Sequence, residues 1–253
     1  MDHTDNTHLS KLNYKPFSLY KFRRINKRLI ESLLSQSLYF AKPDELNDPF
    51  DCRIDLIKVI KRAELAATGE RKKFLSSLLG APEFFEVWKS NLDTVGVLAF
   101  SRTNREVLLW SHYADEHRGL CLEYQFQGDH LLTEEFNLIA AGNVDYLAEP
   151  LTEWLKSAPM DRTKFVEELL HKYLKTKSPA WKYEQESRII RRPHGPFKFN
   201  IRSQFLSEVC FGLRTPPADI DLVTNLAQNY CGCTKFSQMV HAETEFSIVK
   251  KAL

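Results

Sequence analysis

Phe17-Ser18-Leu19-Tyr20-Lys21-Phe22 alternates aromatic and polar residues, the period-2 pattern of a β-strand. The period then changes. Ile25, Leu29, Ile30, Leu33 and Leu34 fall at helical spacing over 25–36, and Asn26 lies near the start as a cap. Ser37–Ala41 (SLYFA) returns to a short strand. Lys42–Pro49 (KPDELNDP) is a turn built by two prolines with Asp and Asn. Outward from this opening, residues 52–91 read as mostly helical and charged, an insertion or a cover. Val95–Ser101 (VGVLAFS) reads as a buried strand, 104–116 as a helix ended by Gly119, and Leu120–Phe126 (LCLEYQF) as an alternating strand. A strand over 137–147, a helix over 151–175, and strands over 187–192 and 209–212 follow. A helix opened by Pro217 and two closing strands near 235–241 and 244–250 complete the chain. Helices and strands mix without regular strand–helix–strand alternation. The expected fold is therefore α+β: an arm over 1–16, then one domain over 17–253 with a mixed, mainly antiparallel sheet and covering helices.

The 253 residues carry 35 Lys+Arg and 33 Asp+Glu, a net charge of +2, which argues against coating nucleic acid by bulk charge. The closest of the nine glycines, Gly119 and Gly128, are nine apart. Neither a dinucleotide-binding G-x-G-x-x-G nor a P-loop is present, since both cluster glycines where backbone must approach phosphate. The polar N-terminus is no signal peptide, and no apolar run approaches the ~20 residues that span a bilayer. The expectation is a cytoplasmic protein without a membrane partner. Its five cysteines are expected to be free thiols, and no metal is predicted.

Four segments carry reactive side chains. Lys11–Arg28 holds seven Lys/Arg and no acid, a cluster suited to a polyphosphate, or else a solvated basic face. In Pro43–Asp51, Asn47 or Asp48 would fix a ligand or a neighbouring strand, or simply build the turn. Trp110-Ser111-His112-Tyr113 would supply an aromatic wall for a planar ring, or core packing. Glu184 and Glu186, two apart before a strand, would share a face and need a cation such as Lys182, Arg188 or Arg191 to hold them, as a catalytic pair or else as a structural ion-pair cluster.

Taken in order, Leu19-Tyr20-Lys21-Phe22, Leu46-Asn47-Asp48-Pro49-Phe50, Phe100-Ser101 with Trp110-Ser111-His112-Tyr113-Ala114 through Gly119-Leu120-Cys121, and Trp181-x-Tyr183-Glu184-x-Glu186-x-Arg188 resemble a bacterial family catalogued as domain of unknown function 2971, over about 17–212. The opening strand, helix, strand and N-D-P loop, with the later E-x-E, more weakly resemble ADP-ribosyltransferase-like toxins. That second resemblance implies NAD as substrate, a nucleic-acid or protein acceptor, an antitoxin partner and a role in phage defence or as a toxin. It also implies site residues. Lys21 or Tyr20 would contact the dinucleotide, and Tyr113 or Trp110 would stack on nicotinamide. Glu186 would hold the nicotinamide ribose and Glu184 would serve the acceptor. Asn47, His112 and Arg188 are the further candidates for holding the cofactor. Two readings stand beside it: a metal-dependent nuclease using Asp48, Asp51, Glu184 and Glu186, and a non-catalytic nucleotide- or nucleic-acid-binding module.

Overall fold

The alternation at the start of the chain forms β1, Phe17–Arg23, in which Leu19 and Phe22 are buried on opposite faces. The computed structural model describes residues 17–126, 131, 134–199 and 205–253, so the expected arm at 1–16 lies outside the described residues. Helix α1 (Lys27–Ser35) begins where the Asn26 side chain accepts from the Leu29 N–H. It ends at Gln36 in the left-handed conformation and leads into β2 (Ser37–Phe40). A short 3-10 turn over Pro43–Glu45 opens the Asx-rich loop. Three helices follow: α2 (Leu56–Ala66), α3 (Gly69–Leu79) and α4 (Pro82–Thr94).

The central run is β3 (Gly96–Ser101), α5 (Val107–Tyr113), β4 (Leu120–Phe126), β5 (Leu138–Asn143) and β6 (Asp145–Tyr146). The single helix expected over 151–175 is two, α6 (Pro150–Leu155) and α7 (Arg162–Leu174). Pro159, between them, cannot donate to a continuing helix. The chain then makes β7 (Thr176–Lys177), a 3-10 turn over Pro179–Glu184, β8 (Glu186–Arg191), β9 (Gly195–Lys198) and β10 (Leu206–Phe211). It closes with α8 (Pro217–Cys231), β11 (Phe236–His241) and β12 (Ile248–Ala252). The last strand starts four residues later than the sequence pattern suggests. β9 carries Pro196 and pairs only with β2, an edge position where proline is tolerated.

Eight strands form one sheet in the order β12-β11-β10-β4-β1-β3-β8-β5, and all neighbours are antiparallel except β10 and β11. This is the α+β architecture the sequence predicts. Alternation sorts the core. Leu98, Phe100, Leu122 and Val209 face α1, α8 and the β2–β9 pair on one side. On the other side there are two separate cores. Val97 and Ile190 pack under α2–α4, α6 and α7, so residues 52–91 lie within a cover over this half. Phe22, Cys121 and Cys210 pack under α5 with Trp110. The seam between those two cores falls at β1 and β3, whose only register pair is Tyr20 with Ser101.

Candidate functional site

A cleft of about 330 Å³ opens along that seam. Tyr20 and Lys21 come from β1, Asn47 and Asp51 from the Asx-rich loop, Tyr113 from the end of α5, and Glu184, Glu186 and Arg188 from the turn into β8. The weak β1–β3 pairing leaves the Ala99 carbonyl free to accept from Lys21 Nζ at 2.6 Å. Burial, with Arg23 adding repulsion, lowers the Lys21 ammonium pKa to about 8.

Beneath the cleft lies a buried charge network. Lys177 Nζ sits 2.6 Å from Glu184 Oε2 and 2.9 Å from Glu186 Oε2. Arg188 Nε donates to Glu186 Oε1 at 2.6 Å, its Nη1 donates to Asp51 Oδ1 at 3.1 Å and to the Leu174 carbonyl at 2.7 Å, and its Nη2 donates to Asp51 Oδ2. Three carboxylates therefore surround two cations, all of them buried. Local structure explains the placement. Gln185 adopts the left-handed conformation (φ 46°), and this turn lets Glu184 and Glu186 reach the same ammonium. Ser101 Oγ pins the turn by donating to the Glu184 carbonyl at 2.7 Å. Lys177 arrives from the strand directly after α7, where Thr176 Oγ1 donates to the Lys172 carbonyl.

The two glutamates are driven apart electrostatically. Burial alone would raise the Glu186 pKa, but Arg188 and then Lys177 outweigh it and hold the pKa down at about 2. For Glu184 burial wins over Lys177, and its pKa is raised. Tyr113 Oη donates to Glu184 Oε1 at 2.5 Å and accepts from Asn47 Nδ2 at 2.9 Å. Burial first, then the bond to Glu184, raise the phenol's pKa. Glu184, Tyr113 and Asn47 thus form a hydrogen-bonded chain from the buried network to the exposed loop.

Seven of the nine residues singled out from the sequence line this cleft: Tyr20, Lys21, Asn47, Tyr113, Glu184, Glu186 and Arg188. Trp110 does not. It is fully buried, its indole N–H donates to the Asn104 carbonyl at 2.7 Å, and its ring packs edge-on against Phe22, so no ligand ring can stack on it. His112 is exposed outside the cleft, 6.3 Å from the Tyr183 ring. Arg188 is committed to Asp51, Glu186 and Leu174, which corrects its expected role as a cofactor-holding cation. The cation between the glutamates is Lys177 together with Arg188. Lys182 is exposed, and Arg191 points to the Phe136 and Pro193 carbonyls. Lys177 is not among the cations expected from the sequence, where nothing in its neighbours marks it as inward-facing.

The nuclease ligand set does not assemble. Asp48 Oδ1 accepts from the Phe50 N–H of its own turn, and Asp51, Glu184 and Glu186 are bonded to cations. Among the described residues no group of three His, Cys, Asp or Glu is placed to hold a metal ion. Nor is any helix among them long and apolar enough to cross a membrane.

Residues 109–189 match the model of a family described as a protein of unknown function, DUF2971. The match runs from α5 to β8. It includes Tyr113, Lys177, Glu184, Glu186 and Arg188 and leaves out Lys21, Asn47 and Asp51, so it covers one wall of the cleft. No curated protein and no solved structure matches the chain.

Proposed function

We propose that the protein is an NAD-using enzyme of the ADP-ribosyltransferase-like class, with the cleft as its dinucleotide site. One observation carries the reading: Lys21, Tyr113 and the Glu184–Glu186 pair, taken from three distant parts of the chain, face a single cleft. Its volume lies at the lower end of the roughly 300–1,000 Å³ usual for ligand sites. Two carboxylates whose environments push their pKa values apart divide the work of acid–base chemistry. Glu186, ionised throughout the physiological range, keeps Lys177 and Arg188 in place and adds negative potential at the cleft floor. Glu184, with its raised pKa, is the proton-accepting member, reached through Tyr113.

In the reaction, the nicotinamide–ribose C–N bond breaks and its electron pair leaves with nicotinamide. Positive charge develops on the ribose, as in glycoside cleavage, and the carboxylates stabilise it. The acceptor's oxygen or nitrogen then bonds to the ribose carbon, and its proton passes to Glu184. Such an activity suits a toxin or a phage-defence protein. Incubation of the purified chain with NAD, with and without nucleic acid or lysate, tests this. Nicotinamide release that falls ~100-fold or more in Glu184→Gln supports it, the usual scale for losing a general acid–base group. Absence of both NAD binding and release overturns it. A second reading has its own support, because both Glu186 carboxylate oxygens already hold cations. That saturation favours a non-catalytic nucleotide-binding module, for which NAD would bind and not turn over.

A further inference from the structure

We propose that Arg23, with Lys21 and Arg28, forms an anion subsite that takes the phosphate or pyrophosphate of a small ligand extending out of the cleft. The proposal rests on the cleft being a ligand site, as above, and adds the chemical class of the ligand's far end. A second hollow of about 860 Å³ adjoins the cleft beneath α1, and Lys21, Arg23, Tyr39 and Glu45 line both. Together the two spaces can hold a ligand larger than the cleft alone would admit.

The chemistry of the shared wall points to an anion. Lys177, Arg188 and Arg191 are each bonded to two or more protein acceptors. Arg23 is half-buried, yet its guanidinium has no ion-pair or hydrogen-bond partner among the described residues. Arg28, which lines the same hollow, also has none. Among the described residues Lys21 donates one hydrogen bond, to the Ala99 carbonyl, and its ammonium lies 5.8 Å from the centre of the Phe100 ring. The acids of the hollow are engaged elsewhere: Glu31 faces Lys27 at 3.7 Å, and Glu45 Oε2 accepts from Tyr39 Oη at 3.1 Å and from the Lys42 N–H at 3.0 Å. Partial burial of an unpaired cation beside another cation is unfavourable unless a counter-charge arrives. Burial, with Arg28 adding to it, already lowers the Arg23 pKa. Guanidinium groups bind phosphate oxygens bidentately, and two arginines with a lysine suit a pyrophosphate better than a single carboxylate. Three cations grouped at one wall of a hollow this size match the two phosphates of a small molecule, whereas a nucleic-acid strand would call for cations spread along a track.

Isothermal titration of the full chain with inorganic pyrophosphate, ADP-ribose and inorganic phosphate tests the subsite. Arg23→Ala, Arg28→Ala and, as a surface control, Arg162→Ala are compared with the parent. Pyrophosphate and ADP-ribose should bind and raise the melting temperature. Arg23→Ala should weaken both about tenfold or more, the scale of a lost charge-assisted hydrogen bond. Arg28→Ala should weaken them less, and Arg162→Ala should leave them unchanged. Without ligand, Arg23→Ala should melt at or above the parent temperature, because it removes an uncompensated cation. The proposal is overturned if millimolar pyrophosphate does not bind, if Arg23→Ala binds it like the parent, or if single-stranded oligonucleotide binds where pyrophosphate does not. It is also overturned if unliganded Arg23→Ala melts several degrees lower, which would make Arg23 a structural group. Pyrophosphate binding without any NAD binding or nicotinamide release would remove the NAD reading and leave the subsite standing. Nicotinamide release with an unchanged Arg23→Ala would do the reverse.

Discussion

Replacing Lys177 with methionine keeps the length of the side chain and removes the charge between Glu184 and Glu186. In the parent, Asp51, Glu184 and Glu186 are balanced by Lys177 and Arg188 to a net of one negative charge; without Lys177 the excess is two. Lys177 is 6% exposed, so the carboxylates it leaves behind stay poorly solvated. Removing one partner of a buried ion pair costs about 3–5 kcal/mol, because the remaining charge stays desolvated. In a chain of this size that corresponds to a fall of about 6–20 °C in melting temperature. The loss should also depend on pH. Lys177 opposes the raised pKa of Glu184, so its removal lifts that pKa further. An acid whose folded pKa exceeds its unfolded value loses stability as pH rises between the two. The gap between parent and Lys177→Met, measured by urea unfolding, should therefore be wider at pH 8 than at pH 5. A loss under about 1 kcal/mol, the scale of an exposed pair, would refute the reasoning, as would an equal loss at both pH values.

Three further expectations follow from the same geometry. The folded pKa of Glu186 is depressed from 4.5 to about 2, so its contribution to stability is present above pH 4.5 and is lost as pH falls toward 2; acid titration of Glu186→Gln should show a flatter stability profile across that window, and an unchanged slope would contradict it. Lys21, with its pKa lowered from 10.5 to about 8, should react with an amine-directed reagent with a midpoint near pH 8, followed by peptide mapping; a midpoint near 10.5 would contradict it. Trp110→Ala should cost about 3–5 kcal/mol as a core truncation, yet leave ligand affinity in the refolded protein nearly unchanged; a large loss of affinity with little loss of stability would restore Trp110 to the ligand wall.

The fold was more legible than the site. Alternation in FSLYKF and LCLEYQF reports half-buried strands, because side chains of a pleated strand must point to opposite faces. Asn26 marks the start of α1 for an equally local reason. Where a strand depends on one distant partner, as β9 depends on β2, composition with Pro196 in it gave no signal. The Glu184–Glu186 pair was visible as two nearby carboxylates, but its means of convergence was not. A strand would have placed them together by alternation, whereas the chain uses a left-handed turn at Gln185. Lys177 was hidden because nothing local distinguishes an inward lysine from a solvated one. Its partners come from a different turn and from a loop more than a hundred residues earlier. Trp110 shows the opposite limit: an aromatic in a chemically dense segment looks the same in sequence whether it faces a ligand or Phe22.

The position of β1 in the middle of the sheet bears on how the protein is made. Among the described strands β1 is synthesised before β3 and β4, the neighbours that flank it. At ~5–20 residues per second, synthesis leaves this aromatic-rich segment unpaired for several seconds. Its closure joins distant parts of the chain and is correspondingly slow. Lys21 and Arg23 are charges of the kind that discourage an open strand from pairing with other chains. A fragment limited to residues 109–189 would lack this central strand and with it one side of the cleft, so site assembly is a late event that requires the N-terminal strand to dock.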